Sequence, residues 1–123
     1  MKPQAAHLAV GQAAEEVACR YLERAGYRLV LRNFRSRLGE LDIVAIEQDV
    51  LAIVEVRYRS RRDFGGAAAS ITAGKRTRLA RAAQAMLQRH PELAGLSARF
   101  DVVEVDGDPE DLRCRLIRAA FSL

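Results

Sequence analysis

Residues 39–59 constrain the fold more than any other part of the chain. They read Gly39-Glu-Leu-Asp-Ile-Val-Ala-Ile-Glu47, then Gln48-Asp49, then Val50-Leu-Ala-Ile-Val-Glu-Val-Arg-Tyr-Arg59. Two apolar runs of strand length around a short polar break predict a β-hairpin, with strands at Gly39–Glu47 and Val50–Arg59. Glu40, Asp42, Glu55 and Arg57 interrupt these otherwise core-forming strands. A buried charge is costly unless it is paired or metal-bound. The hairpin is therefore where function is expected.

The rest of the chain supplies elements to cover that hairpin. From about Gln4 to Ala25, Leu8, Gly11, Ala14, Ala18, Leu22 and Ala25 recur at spacings of three and four, which predicts a helix that Gly26 ends. Tyr27–Phe34 reads as a strand and Ser36–Leu38 as a connection. Ser60 to Gly66 is polar and glycine-rich, as a loop is. A second helix is predicted from about Ser70 to Arg89, with Ile71, Lys75, Leu79, Ala82, Ala83, Met86 and Leu87 on one side, and Pro91 blocks its continuation. Arg99–Asp106 is a fourth strand, Asp106-Gly107-Asp108-Pro109 a turn, and Leu112–Ala119 a fifth strand. The order α-β-β-β-α-β(-β) predicts an α/β fold, a mixed central sheet flanked by helices. With 123 residues, no repeats and no linker, residues 1–123 read as a single domain.

Half of the residues are apolar, which argues against a disordered chain. No apolar run approaches the roughly 20 residues of a membrane span, and the N-terminus lacks a signal-peptide core. Cys19 and Cys114 have no metal-like spacing and read as reduced thiols, so a cytoplasmic protein with no membrane partner is expected. The net charge is only +4, but between Arg20 and Arg81 there are thirteen arginines and one lysine against seven acids. Arginine's planar fork suits phosphates, so a nucleic-acid partner is one reading and solvated basic faces the other. Asp101 to Asp111 holds six acids and no base, and reads as a solvated edge. His7 and His90 are isolated, and seven aromatics without tryptophan give little sign of a base-stacking platform.

If Gln48 and Asp49 form the hairpin loop, Ile46 faces Leu51, Val44 faces Ile53, Asp42 faces Glu55 and Glu40 faces Arg57. Carboxylates directly opposite each other repel and need a shared proton, an arginine or a divalent cation. Mg²⁺ is usually held by one or two carboxylates together with waters and substrate phosphate. Asp42 and Glu55 could supply those carboxylates, beside the Val56 carbonyl, and Arg57 could orient a phosphodiester. An ionic cluster with Arg35, Arg57 or Arg59 explains the same residues without a metal. Arg59, Arg61 and Arg62 flank the glycine-rich loop and, with Lys75, are candidate phosphate contacts that would position a nucleic-acid backbone.

Asp42 followed by Glu55-Val56-Arg57 resembles the PD-(D/E)XK signature of restriction endonucleases and Holliday-junction resolvases. Gly11-Gln-Ala-Ala-Glu15, Gly26-Tyr27, Arg32-Asn33-Phe34-Arg35, Gly39-Glu40-Leu-Asp42, Val54-Glu55-Val56-Arg57, Phe64-Gly65, Lys75 and Arg99-Phe100-Asp101-Val102-Val103 resemble the YraN-like bacterial family. The match spans residues 7–105. The resemblance implies a restriction-endonuclease-like core and a Mg²⁺- or Mn²⁺-dependent endonuclease acting on nucleic acid, DNA before RNA. It implies Asp42, Glu55 and Glu15 as metal ligands, and Glu40 as an outer-shell ligand or the partner of Arg57. A two-fold homodimer would suit cutting both strands of a junction. Arg57 stands where the signature has lysine. Arginine stays protonated, so a general-base role is removed and phosphate orientation is left. A nuclease fold that binds nucleic acid without turnover is the alternative.

Overall fold

A computed structural model describes residues 3–59 and 71–122. Helix α1 (Pro3–Arg24) is followed by strands β1 (Arg28–Ser36), β2 (Gly39–Glu47) and β3 (Val50–Arg59). Helix α2 (Ala73–Arg89), a short 3₁₀ turn (Pro91–Leu93), and strands β4 (Ser97–Asp108) and β5 (Asp111–Phe121) complete the chain. The predicted element order is present. Arg61, Arg62 and the glycine-rich segment lie outside the described residues.

The five strands form one sheet in the order β1-β2-β3-β4-β5. Only β3 and β4 run parallel, from Val50↔Ser97 to Arg59↔Asp106. A parallel pair needs a crossover, and α2 lies within it. It packs on one face of the sheet, where Leu79, Ala82, Ala83 and Met86 meet Leu41, Val44, Leu51, Ile53 and Val102. On the other face, α1 places Ala14, Ala18, Cys19 and Leu22 against Ile43, Ala45, Ala52, Val54, Val103 and Val105. Neighbouring residues of β2, β3 and β4 thus go to opposite cores. That explains the unbroken apolar runs, because a strand covered on both sides has no solvent face to alternate with.

Local chemistry sets the helix ends. Gly26 adopts φ +97° after α1, Tyr27 N–H donates to Leu22 O at 2.9 Å, and Gly26 N–H donates to Glu23 O at 3.1 Å. These two bonds make a Schellman stop, and Leu22 and Tyr27 pack in the same core cluster. At the start of α2, the Thr72 hydroxyl accepts from Lys75 N–H at 3.2 Å. This caps an orphan donor and fixes where Lys75 lies.

The hairpin register matches the prediction from Glu47↔Val50 through Ile46↔Leu51 and Val44↔Ile53 to Ile43↔Val54, where the ladder ends. Glu40 therefore does not face Arg57. Its ladder partner is Arg35 of β1, and that exposed pair is 3.8 Å apart. The acidic segment is also not simply a solvated edge. Asp101 is fully buried and Glu104 nearly so. Asp101 accepts from the Tyr27 hydroxyl at 2.7 Å, from Arg99 Nε at 2.8 Å and from Ala119 N–H at 3.0 Å. Arg99 continues to Glu47 at 2.7 Å, which joins the end of α1, the hairpin turn, β4 and β5. Among the described residues no helix is long and apolar enough to cross a membrane.

Candidate functional site at the β2–β3 fork

Once the ladder stops, β2 and β3 diverge, and the first side chain in the opening is Asp42. Its Oδ2 accepts from Val56 N–H at 2.9 Å, replacing a backbone ladder bond with a side-chain one. Burial is the main reason its carboxyl is pushed up to about 7. The charge of neighbouring Glu55 adds to the rise, the Val56 N–H opposes it, and Glu15 contributes a smaller push upward. Asp42 and Glu55 are thus brought together across the fork, although they do not form the ladder pair that the register predicts, since pairing stops at Ile43↔Val54.

Glu55 is buried, and its Oε1 lies 2.6 Å from Lys75 Nζ and 4.0 Å from Arg57 Nη1. Lys75 comes from the first turn of α2, one turn before Leu79 on the side that packs on the sheet. A cation on an otherwise apolar helix face was the sequence signal that it approaches an acid. The sequence does not say which acid, and in the fold the Lys75 ammonium meets the Glu55 carboxylate. Gly39 permits the approach. A Cβ there would stand 3.1 Å from Arg78 O and 3.4 Å from the Ala82 side chain, and φ is +148°. The N-terminal half of α2 thereby lies close on the start of β2.

Asp42 lines two grooves on opposite sides of the sheet. The one beside α2, about 240 Å³, is bounded by Gly39, Glu40, Glu55, Lys75, Arg78 and Leu79. The one beside α1, about 400 Å³, includes Gln12, Glu15, Asn33, Arg35, Val56 and Tyr58. Asn33 carries φ +54°, and the ladder pairs Arg32↔Ile43 and Phe34↔Leu41 bracket it and Asp42. A left-handed, non-glycine residue inside a strand is a local strain of the kind that gathers at functional sites.

Glu15 lines the α1-side groove with Asp42, but not the α2-side groove with Glu55. Its Oε1 is buried without a hydrogen bond, and Arg32 Nη2 is 3.9 Å away. Among the described residues no three His, Cys, Asp or Glu side chains gather into a metal shell. Asp42 and Glu55 remain a two-carboxylate set, which suits a hard divalent ion that keeps most of its own waters. Arg35 is exposed at the rim, and Arg59 pairs with buried Glu104.

Comparison with known proteins agrees with the pattern of residues. A sequence model described as "Uncharacterised protein family UPF0102" matches residues 14–105. A UPF0102 protein of Dechloromonas aromatica (strain RCB) is 50% identical over 112 residues, covering 91% of this chain and 88% of its own length. One from Xanthomonas campestris pv. campestris (strain B100) is 50% identical over 113 residues, covering 92% and 91%. One from Nitrosococcus oceani is 42% identical over 121 residues, covering 98% and 97%. With the family pattern spanning both Asp42 and Glu55, and relatives matching nearly end to end, the chain belongs to the uncharacterised protein family UPF0102.

Proposed function

We propose that the protein is a divalent-metal-dependent endonuclease that hydrolyses phosphodiesters of nucleic acid, DNA in preference to RNA. The observation that carries this reading is the meeting of Asp42 and Glu55 at the β2–β3 fork, with Lys75 and Arg57 on the Glu55 side. Mg²⁺ or Mn²⁺, when bound, supplies Lewis-acid polarisation and an activated water. Asp42 and Glu55 are the residues to hold it, with Glu15 acting from the α1-side groove. Lys75 and Arg57 hold positive charge where a phosphodiester gains negative charge, which is worth most in a partly dry site. Arg57 stays protonated and so orients phosphate rather than moving protons. Arg35, Arg59, Arg61 and Arg62 are candidate contacts to the flanking backbone.

A second reading is favoured by the same ion pair. Lys75 and Arg57 already neutralise Glu55, so the fold could hold a nucleic-acid backbone without turning it over. Purified protein incubated with branched, single-stranded and duplex DNA and Mg²⁺ or Mn²⁺ separates the two. The endonuclease reading expects at least one substrate to be cut, and Asp42→Ala and Glu55→Ala to be inactive. Binding without cutting selects the second reading. Absence of binding at low salt, where phosphate contacts are strongest, defeats both.

A further inference from the structure

The groove beside α1 has a different chemistry from the groove beside α2. On the α2 side the cations Lys75 and Arg78, which a phosphate could contact, line the space with the acids Glu40, Asp42 and Glu55. On the α1 side the exposed amides of Gln12 and Asn33 and the half-buried ring of Tyr58 line a space of about 400 Å³, together with the charged Glu15, Arg35 and Asp42. Neutral donors and acceptors beside an aromatic ring suit a nucleobase, which offers hydrogen-bonding edges and a π-face. The volume lies at the lower end of ligand pockets. Tyr58 is held in place, because its hydroxyl donates to Gly107 O at 2.9 Å, so a stacking partner would find its ring already fixed. Asp42 borders both grooves and stands between the phosphate-like and the base-like surfaces.

We infer that the α1-side groove receives one unpaired nucleobase next to the phosphate held in the α2-side groove. This inference rests on the nucleic-acid reading above and adds its substrate class: strands with an unpaired nucleotide at the point of attack, as in single strands, overhangs and junctions. A base still paired in a duplex would have to be extruded to enter an open groove between α1 and the sheet, and extrusion costs unpairing energy. Tyr58 is then the stacking residue, and Gln12 and Asn33 contact the base edge.

The test is fluorescence anisotropy at low salt, with Ca²⁺ replacing Mg²⁺, on a labelled single strand and a blunt duplex of equal length. Wild type is expected to bind the single strand at least about fivefold more tightly, the lower end of a stacking contribution. Tyr58→Leu should erase most of that preference, Tyr58→Phe should keep it, and Gln12→Ala should reduce it. Thermal melting verifies that each variant is folded, and Gln12→Ala, on an exposed helix face, provides the readout if Tyr58→Leu does not fold. Equal affinity for the two DNAs, or a preference unchanged in the folded variants, overturns the base pocket while leaving the nucleic-acid reading standing. Absence of binding to either DNA removes that reading and the pocket together.

Discussion

The Lys75 ammonium lies 2.6 Å from the Glu55 carboxylate, so helix α2 and the central strand β3 meet through charge at the one place where the β2–β3 ladder has ended. The pair places a cation from the crossover helix beside an acid of the sheet. Removing the cation should therefore be felt in both stability and chemistry. Lys75→Ala leaves the buried Glu55 carboxylate with Arg57, at 4.0 Å, as its cation among the described residues and should cost about 1–3 kcal/mol in urea unfolding. If the protein cleaves DNA, the same change should slow cleavage by about 10²–10³-fold, the range for loss of one charge-stabilising donor. Lys75→Arg should recover much of the stability.

Gly39 should tolerate no side chain. Gly39→Ala sets a Cβ 3.1 Å from Arg78 O at a φ of +148°, and should cost about 1–3 kcal/mol. Gly11→Ala meets nothing within 4 Å inside helix α1 and should instead stabilise by about 0.5–1 kcal/mol. Urea midpoints of the two variants moving in opposite directions would verify both the close approach and the helix.

Asp42 should give the protein a pH-dependent stability. Its carboxyl is raised to about 7 in the folded state from an ordinary value near 4. The folded protein therefore binds the extra proton between those values. The contribution is fully present below pH 4, is lost as pH rises through about 7, and is flat above that. Stability at pH 8 should be lower than at pH 5 by a few kcal/mol from this group. Asp42→Asn can still accept from Val56 N–H and should flatten that slope. Urea unfolding of both proteins across pH 5–8 is the measurement.

The Asp101 network should carry stability without touching the fork. Asp101→Ala removes a fully buried acid that Tyr27, Arg99 and the Ala119 N–H surround, and should cost about 3–5 kcal/mol. Tyr27→Phe loses one bond to a charged acceptor and should cost about 1.5–3 kcal/mol. If the protein binds nucleic acid, the affinity of any folded variant should stay at the wild-type level, measured beside denaturant unfolding.

The elements and much of the hairpin register could be read from residues alone because their causes are local. Gly26 ends α1 by its backbone freedom, Thr72 caps α2, and the break at Gln48-Asp49 sets Ile46 against Leu51 and Val44 against Ile53. The predicted pairs Asp42–Glu55 and Glu40–Arg57 both lie beyond Ile43↔Val54, where the strands part, and register arithmetic holds only while strands stay paired. From the residues alone Asp101 reads as surface, since one acid among six gives no sign that Tyr27 and Arg99, 74 and 2 residues away, will close over it.

By itself, the sequence determined the order of helices and strands, the family, and the hairpin register as far as Ile43 and Val54, since side-chain periodicity and a two-residue loop leave little choice. Only the tertiary structure decided which cation meets Glu55, that Asp42 opens to both faces of the sheet, and that Glu40 turns away to Arg35. Those outcomes depend on where a crossover helix settles and where a ladder stops. Close packing across the whole domain sets both, and no local window of residues contains it.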